Sequence, residues 1–143
     1  MTLPPRHLTL RALALLSILG AAASQAVELP AGKWGMDSAT LTPESADPIK
    51  GYSEECFATD FDPAAALTQS ALGDRCLFTP TTDSATEFAA DLTCDMDEAG
   101  LANGTLHITL NGTEASGALQ LTLDAGHMLL NNQWTGKRLG ACE

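Results

Sequence analysis

Four cysteines constrain the fold of this chain more than any other feature. They are Cys56, Cys76, Cys94 and Cys142, and successive cysteines lie 18 or more residues apart. That spacing matches neither the paired ligands of a zinc site nor a Cys-x-x-Cys redox motif. In an exported chain an even number of cysteines indicates disulfides, and four cysteines allow three pairings. The chain should therefore fold around two disulfide bonds.

The N-terminus predicts a secretory signal peptide over residues 1–26. A basic start at Arg6 precedes an apolar run over residues 12–23, and small residues follow where a signal peptidase cuts, ending at Ala26. The run is too short to span a bilayer, and no other segment is long and apolar enough. We therefore expect no membrane span after cleavage, and a single domain over residues 27–143.

The mature segment is strongly acidic. It holds all eighteen Asp and Glu residues of the chain but only five of the seven Lys and Arg. This negative charge disfavours nucleic acids and anionic membrane surfaces as partners, because their phosphates repel it. The adjacent Lys137 and Arg138 stand out against it. Of two interpretations, binding of a partner and balancing of nearby carboxylates, we favour the second.

Alternation of apolar and polar side chains predicts antiparallel strands along most of the mature segment. The clearest case runs from Thr86 to Met96, where Phe88, Leu92 and Cys94 share one side. Shorter patterns predict strands over residues 33–42, 51–57, 76–80, 105–110, 119–123 and 126–134. Three Asn-Gly or Ser-Gly pairs, at residues 103–104, 111–112 and 116–117, are interpreted as turns.

One helix interrupts the strands. Asp62 can cap it, Pro63 suits its first position, and an alanine-rich run extends to Leu72 before Gly73 ends it. The sequence thus predicts a mainly β fold, an antiparallel up-and-down meander with one short helix and two disulfides. Because each strand is apolar on one face, the meander should form a curved sheet or a small barrel that buries this face and limits open edges.

The strand register predicts which cysteines pair. If the strands containing Cys76 and Cys94 form a hairpin, one register places these two residues and their apolar neighbours opposite each other. Directly opposed residues at a non-hydrogen-bonded position are close enough for a disulfide. We therefore expect Cys76 to pair with Cys94. That leaves Cys56 for Cys142, a bond that would tie the last strand beside the first part of the sheet.

Several short motifs occur in a fixed order along the mature segment. They are Gly32-Lys33-Trp34 near its start, a single cysteine after a loop, a cysteine pair around a hairpin, and the terminal Arg138-Leu139-Gly140-Ala141-Cys142. In order and spacing this set resembles a family of small exported bacterial proteins, domain of unknown function family 3617. The resemblance implies localisation in the periplasm of a Gram-negative bacterium, or secretion from it. It implies no activity, cofactor or catalytic residue.

No catalytic site, metal site or cofactor is expected. The two histidines of the mature segment, His107 and His127, lie two strands apart in a meander. No serine lies in a Gly-x-Ser-x-Gly motif, and with all cysteines in disulfides no thiol nucleophile remains. The acidic residues 95–100 lack the ligand pattern of an EF-hand loop, and we interpret them as a solvated turn.

Four aromatic side chains have two possible structural roles. Trp34, Phe78, Phe88 and Trp134 either fill the core or line a small apolar pocket. We favour the core, because protein interiors hold few voids.

The whole sequence favours an exported binding or interaction protein without enzymatic activity. Its partner would be a small apolar ligand or an envelope protein. One alternative is an acidic structural or stress protein of the envelope that has no pocket. Another is a hydrolase that uses paired carboxylates among Asp91, Asp95 and Asp97, which requires them to converge in a cleft.

Overall fold

In a computed structural model of the chain, residues 26–143 are described. The predicted signal peptide, apart from Ala26, lies outside these residues. The described part contains seven strands and one α-helix, together with a single-turn 3₁₀ helix at Asp97–Ala99. The strands are β1 (Gly32–Leu41), β2 (Ile49–Phe57), β3 (Cys76–Asp83), β4 (Glu87–Asp95), β5 (Leu101–Asn111), β6 (Glu114–Leu123) and β7 (Met128–Gly140), and the α-helix is α1 (Pro63–Thr68). None of its helices is long and apolar enough to cross a membrane.

The strands form one open sheet in the order β2-β1-β7-β6-β5-β4-β3. From β3 to β7 each strand pairs with the next along the chain, as the meander prediction requires. The first strand lies between β7 and β2, so β2 and β3 form the two edges. The predicted antiparallel, mainly β fold with one short helix and two disulfides is confirmed. Of the two predicted shapes, the open sheet is the one that forms.

The core lies on one face of the sheet, because side chains alternate between the two faces along each strand. In β4 the buried residues are Phe88, Ala90, Leu92 and Cys94. The segment before β1 covers part of this face, with Val27 and Leu29 at most 1% exposed. An antiparallel bridge between Leu29 and Phe61 holds that segment beside the loop preceding α1.

Helix α1 begins as predicted but ends earlier. The Asp62 side chain accepts a hydrogen bond from the Ala65 N–H at 2.9 Å, and a proline occupies the first turn. The helix stops at Thr68 and does not continue to Leu72. The hydroxyls of Thr68 and Ser70 each donate to a carbonyl three residues earlier, at 2.9 and 2.6 Å. Such side-chain competition for carbonyls favours turns over a longer helix.

The turns predicted at residues 103–104 and 116–117 are wrong, because their glycines lie inside strands and allow close packing there. Gly104 lies inside β5, where an added Cβ would come within 2.0 Å of the Gln120 carbonyl oxygen. Gly117 lies inside β6, where an added Cβ would come within 2.2 Å of the Trp134 Nε1. The turn predicted at residues 111–112 is confirmed. It links β5 to β6 with Gly112 at a φ of 61°.

The first and last strands meet closely at one end of their pairing. Gly32 lies so near β7 that an added Cβ would approach the Gly140 carbonyl oxygen to 2.5 Å and the Arg138 Nε to 2.7 Å. The Arg138 Nε donates a hydrogen bond to the Ala31 carbonyl oxygen at 3.0 Å. The Gly-x-Trp motif and the terminal motif are therefore parts of one contact. We call it the end clasp (Ala31, Gly32, Arg138 and Gly140).

The end clasp gives Arg138 a role that the sequence did not predict, whereas Lys137 lies directly opposite Glu114 in the β6–β7 pairing. Arg138 donates to a backbone carbonyl, and neither it nor Lys137 forms an ion pair with another residue in the range 26–143. A guanidinium carries five N–H donors and no acceptor, so it can satisfy a carbonyl that strand pairing leaves free. Arg138 therefore fastens the chain segments together.

Both predicted disulfides form. Cys76 lies directly opposite Cys94 in the β3–β4 hairpin, with their apolar neighbours opposed as predicted. The second disulfide joins Cys56 in the edge strand β2 to Cys142 beyond the end of β7. Because β1 lies between β2 and β7, this bond ties an edge strand to the chain end across the first strand.

Removing the Cys56–Cys142 disulfide should lower stability substantially. We expect the Cys56→Ser/Cys142→Ser double variant to lose about 4–5 kcal/mol of unfolding free energy, because the bond closes a separation of 86 residues. The hairpin disulfide closes only 18 residues, for which the same chain-entropy estimate is about 3 kcal/mol. Urea unfolding under non-reducing conditions measures the loss. A loss below about 1 kcal/mol would contradict the expectation.

Two nearby residues of β5 should differ sharply in their contribution to stability. Ile108 is fully buried, so Ile108→Ala should cost about 2–5 kcal/mol of unfolding free energy. Thr105 is exposed on the opposite face, so Thr105→Ala should change it by less than about 0.5 kcal/mol. Chemical denaturation of the two variants in parallel is the measurement, and equal losses would show that the assignment of faces is wrong.

Candidate functional site: an apolar groove

An apolar groove lies between α1 and the sheet. Its volume is about 330 Å³, within the size range of small-molecule sites. Strands β1, β5, β6 and β7 contribute to it from one side, and α1 with the loop before it contributes from the other. The lining residues are Leu29, Met36, Phe61, Pro63, Ala66, Leu67, Leu106, Leu119, Asn132 and Trp134.

Small residues keep the groove open. Two glycines of the sheet let large side chains lie close to the strands: Gly117 lies against Trp134, and an added Cβ at Gly136 would be 2.8 Å from the Met36 sulfur. On the other side, α1 is only six residues long and presents Ala66 to the groove. The side chains from the two sides therefore leave space between them.

Two polar groups interrupt the apolar lining. The Asn132 Nδ2 donates to the Thr40 hydroxyl at 2.7 Å, while its Oδ1 has no hydrogen-bond partner among residues 26–143. The Trp134 Nε1, beside Gly117, likewise has no acceptor within that range. No charged residue lines the groove. The lining is therefore uncharged and almost entirely apolar, which suits a neutral ligand.

The structure places the four aromatic residues singled out by the sequence at different depths. Trp34 is fully buried, and its Nε1 donates to the Pro30 carbonyl oxygen at 2.9 Å. Phe88 is also buried, and Phe78 packs against the same core from the edge strand β3. Of the four, only Trp134 lines the groove.

Sequence reasoning missed most of the groove, because its outer residues lie outside strands. Leu29 precedes β1 and Phe61 precedes α1, where alternation carries no information. One local signal was available. A hydrophobic residue just before a helix cap tends to pack on the fourth helical residue. Phe61 immediately precedes the cap residue Asp62, the fourth helical residue is Ala66, and both Phe61 and Ala66 line the groove.

A larger depression lies on the opposite face of the sheet. Its volume is about 490 Å³, and polar residues dominate its lining, among them Asp37, Thr109, Glu114, Ser116 and Lys137. The Thr109 and Ser116 hydroxyls satisfy each other at 2.8 Å. A ligand there would mainly exchange hydrogen bonds with water for hydrogen bonds with the protein, which gains little net free energy. We therefore assign the candidate site to the smaller, apolar groove.

The histidines do not assemble a site. His107 pairs with Glu87 at 2.9 Å on the exposed face of the sheet, and His127 is exposed between β6 and β7. Within the described range, no group of three or more His, Cys, Asp or Glu residues could hold a metal ion.

The three carboxylates considered for hydrolysis lie away from both depressions. Asp91 and Asp95 are exposed on β4. Asp97 forms an ion pair with Arg75, and its hydrogen bond and charge raise the pKa of that guanidinium. None of the three lines the apolar groove or the polar depression.

Three ionisable side chains form a connected cluster on the exposed face of β1 and β2. The Lys33 Nζ lies 2.5 Å from the Glu54 Oε2, and the Tyr52 hydroxyl donates to the Glu54 Oε1 at 3.1 Å. These contacts lower the pKa of Glu54, chiefly through the hydrogen bond from Lys33. The hydrogen bond to Glu54 raises the pKa of Lys33. The pKa of Tyr52 is also raised, chiefly by desolvation and to a smaller extent by the Glu54 carboxylate.

The stabilising contribution of this cluster should depend on pH at both ends of the range. Because folding lowers the pKa of Glu54, its contribution is present above the unfolded pKa and is lost as pH falls through the folded pKa. Folding raises the pKa values of Lys33 and Tyr52. Their stabilising contribution is therefore present below the unfolded pKa values and is lost as pH rises through the folded pKa values.

Carboxyl NMR titration of Glu54 measures the acidic limb directly. Lys33→Gln should return the pKa of Glu54 toward its ordinary value, and Tyr52→Phe should do so to a smaller extent, since Lys33 is the larger cause. Lys137→Gln is the matched control, because Lys137 makes no ion pair with Glu54. An unchanged Glu54 pKa in Lys33→Gln would contradict the assignment.

Comparisons with known proteins identify no relative of this chain. No protein-family profile matches its sequence, and no curated protein or solved structure matches it at a significant level. The resemblance to domain of unknown function family 3617 therefore stays a prediction, and the interpretation of the groove depends on its own geometry.

Proposed function

We propose that this protein is an exported, non-enzymatic binding protein that holds a small, neutral and mostly apolar molecule in the groove between α1 and the sheet. The observation that carries the proposal is the lining of the groove, which is apolar apart from Asn132 and Trp134 and contains no charge. Small-molecule sites commonly combine apolar walls with a few polar groups that orient the ligand.

The two polar groups favour a particular ligand chemistry. The Asn132 Oδ1 can accept a hydrogen bond from a hydroxyl or amide of the ligand, and the Trp134 Nε1 can donate one to an oxygen. A charged ligand would have to move from water into a groove that offers no opposite charge, which is costly. The ligand is therefore an alcohol, an amide or a similar neutral compound with an apolar body.

The size of the groove supports modest affinity. Burying about ten CH₂ groups would contribute about 8 kcal/mol, which alone corresponds to a dissociation constant of about 1 μM. Loss of ligand freedom opposes this gain. We expect binding in the micromolar to submillimolar range.

The two disulfides indicate an oxidising compartment outside the cytoplasm. We place the protein, more specifically, in the periplasm of a Gram-negative bacterium or among its secreted proteins. The predicted signal peptide supports this placement.

Binding of the neutral fluorophore N-phenyl-naphthylamine, which is apolar apart from one N–H group, tests the proposed function. The mature protein should bind it and increase its fluorescence. Ala66 lines the groove, so Ala66→Phe should occupy the space and weaken binding about tenfold or more. Thr68 is exposed on the same helix but outside the lining, so Thr68→Phe should leave binding unchanged.

Two outcomes would contradict the proposal. One is absence of binding by the unmodified mature protein. The other is equal binding by the two helix variants, which would show that the fluorophore binds elsewhere. Thermal unfolding of both variants serves as the control for intact folding.

A further inference from the structure

Strand β2 is a fully exposed sheet edge. Every residue from Ile49 to Cys56 is exposed, and within residues 26–143 no strand pairs with its outer side. Its pairing with β1 continues without irregularity from Ile49 to Phe57. An edge of this kind leaves alternate backbone N–H and C=O groups free to pair with another strand.

The opposite edge of the sheet is less suited to strand addition. Strand β3 contains Pro80, which lacks an N–H donor, and its pairing with β4 is irregular between Pro80 and Thr82. Prolines and bulges are devices by which edge strands avoid pairing. Strand β2 carries neither, so its only protection is its charged side chains. Pairing at β2 then depends on how those charges match a partner.

Two of the three charged residues of β2 lie at equal distances from Tyr52, with Lys50 two residues before it and Glu54 two residues after it. Lys50, Tyr52 and Glu54 share one face, since they oppose alternate residues of β1. Tyr52 is 61% exposed, and Lys50 forms no ion pair with another residue in the described range. The Glu54 carboxylate is already held by Lys33 and the Tyr52 hydroxyl. Such positioning reduces the entropy lost when a partner binds.

We propose that β2 pairs antiparallel with β2 of a second copy of this chain, in a register centred on Tyr52. Two-fold symmetric pairing in this register places Lys50 of each copy opposite Glu54 of the other. It also brings the two Tyr52 side chains together at the symmetry axis. Opposite charges and aromatic residues directly across two strands both stabilise a sheet.

Neighbouring registers lack this match. Centring the pair on Gly51 places Lys50 opposite Tyr52, and centring it on Ser53 places Lys50 opposite Cys56, whose sulfur is in a disulfide. Both leave Lys50 without a carboxylate directly across. The charges of Lys50 and Glu54 therefore have two effects. They disfavour pairing with unrelated strands, and they select one register for pairing with a second copy.

Sedimentation equilibrium of the mature chain, over a wide concentration range and at an ionic strength that screens repulsion between two acidic copies, tests the proposal. We expect a reversible monomer–dimer equilibrium. Lys50→Glu and Glu54→Lys each oppose like charges twice in the dimer, so each should raise the dissociation constant about tenfold or more. The double variant Lys50→Glu/Glu54→Lys should restore dimerisation, because it exchanges the charges. Lys50→Glu breaks no ion pair within one copy, so its effect reports the interface.

The matched control moves the second charge to the other face of the strand. Lys50→Glu/Glu55→Lys has the same net charge as the restoring variant, but Glu55 lies on the opposite face from Lys50 and should not rescue the dimer. Hydrogen exchange should show β2 amides gaining protection on dimerisation and β3 amides unchanged. A wild-type chain that stays monomeric at every concentration would overturn the proposal. So would a dimer that both single variants leave unweakened.

Discussion

The pairing of the first strand with the last is the constraint on which the rest of this sheet depends. Strands β1 and β2 alone would be a two-stranded hairpin, which is marginally stable in water. Pairing of β1 with β7 attaches that hairpin to the five-strand meander. Gly32 allows the close approach, Arg138 fastens it through the Ala31 carbonyl, and the Cys56–Cys142 disulfide closes it covalently. The short motifs near the two ends of residues 26–143 are thus parts of one contact.

This pairing also creates the surfaces to which we assign function. Met36 in β1 and Trp134 in β7 line the same groove only because their strands are neighbours. Helix α1 is too short to cover the whole core face, so an apolar space remains beneath it. The same arrangement puts β2 outermost, with its backbone and its charges facing solvent. The groove and the edge lie in different parts of the sheet, and their proposed roles can be tested independently.

Local patterns were sufficient for much of the fold. Alternation in β4 assigned Phe88, Leu92 and Cys94 to the core face because neighbouring side chains must point to opposite sides of a strand. The same rule, applied to two strands of a hairpin, predicted the Cys76–Cys94 pair. The remaining pair then followed from the count of cysteines. The start of α1 was equally local, since Asp62 bonds to an amide three residues away.

Features that depend on distant contacts were not predictable in this way. Gly104 and Gly117 belong to Asn-Gly and Ser-Gly pairs, which are typical of turns. They nevertheless lie inside strands, because Gln120 and Trp134 approach them from neighbouring strands. Leu29 has no periodic pattern around it, and it is buried by its bridge to Phe61.

The sequence by itself determined the strand faces, the helix start and both disulfides, because these follow from alternation, capping and register over short distances. Only the tertiary structure decided that the sheet stays open, that Arg138 joins the chain ends, and that α1 leaves a groove. Those outcomes depend on which strands become neighbours, and contacts between residues far apart in the chain set that choice.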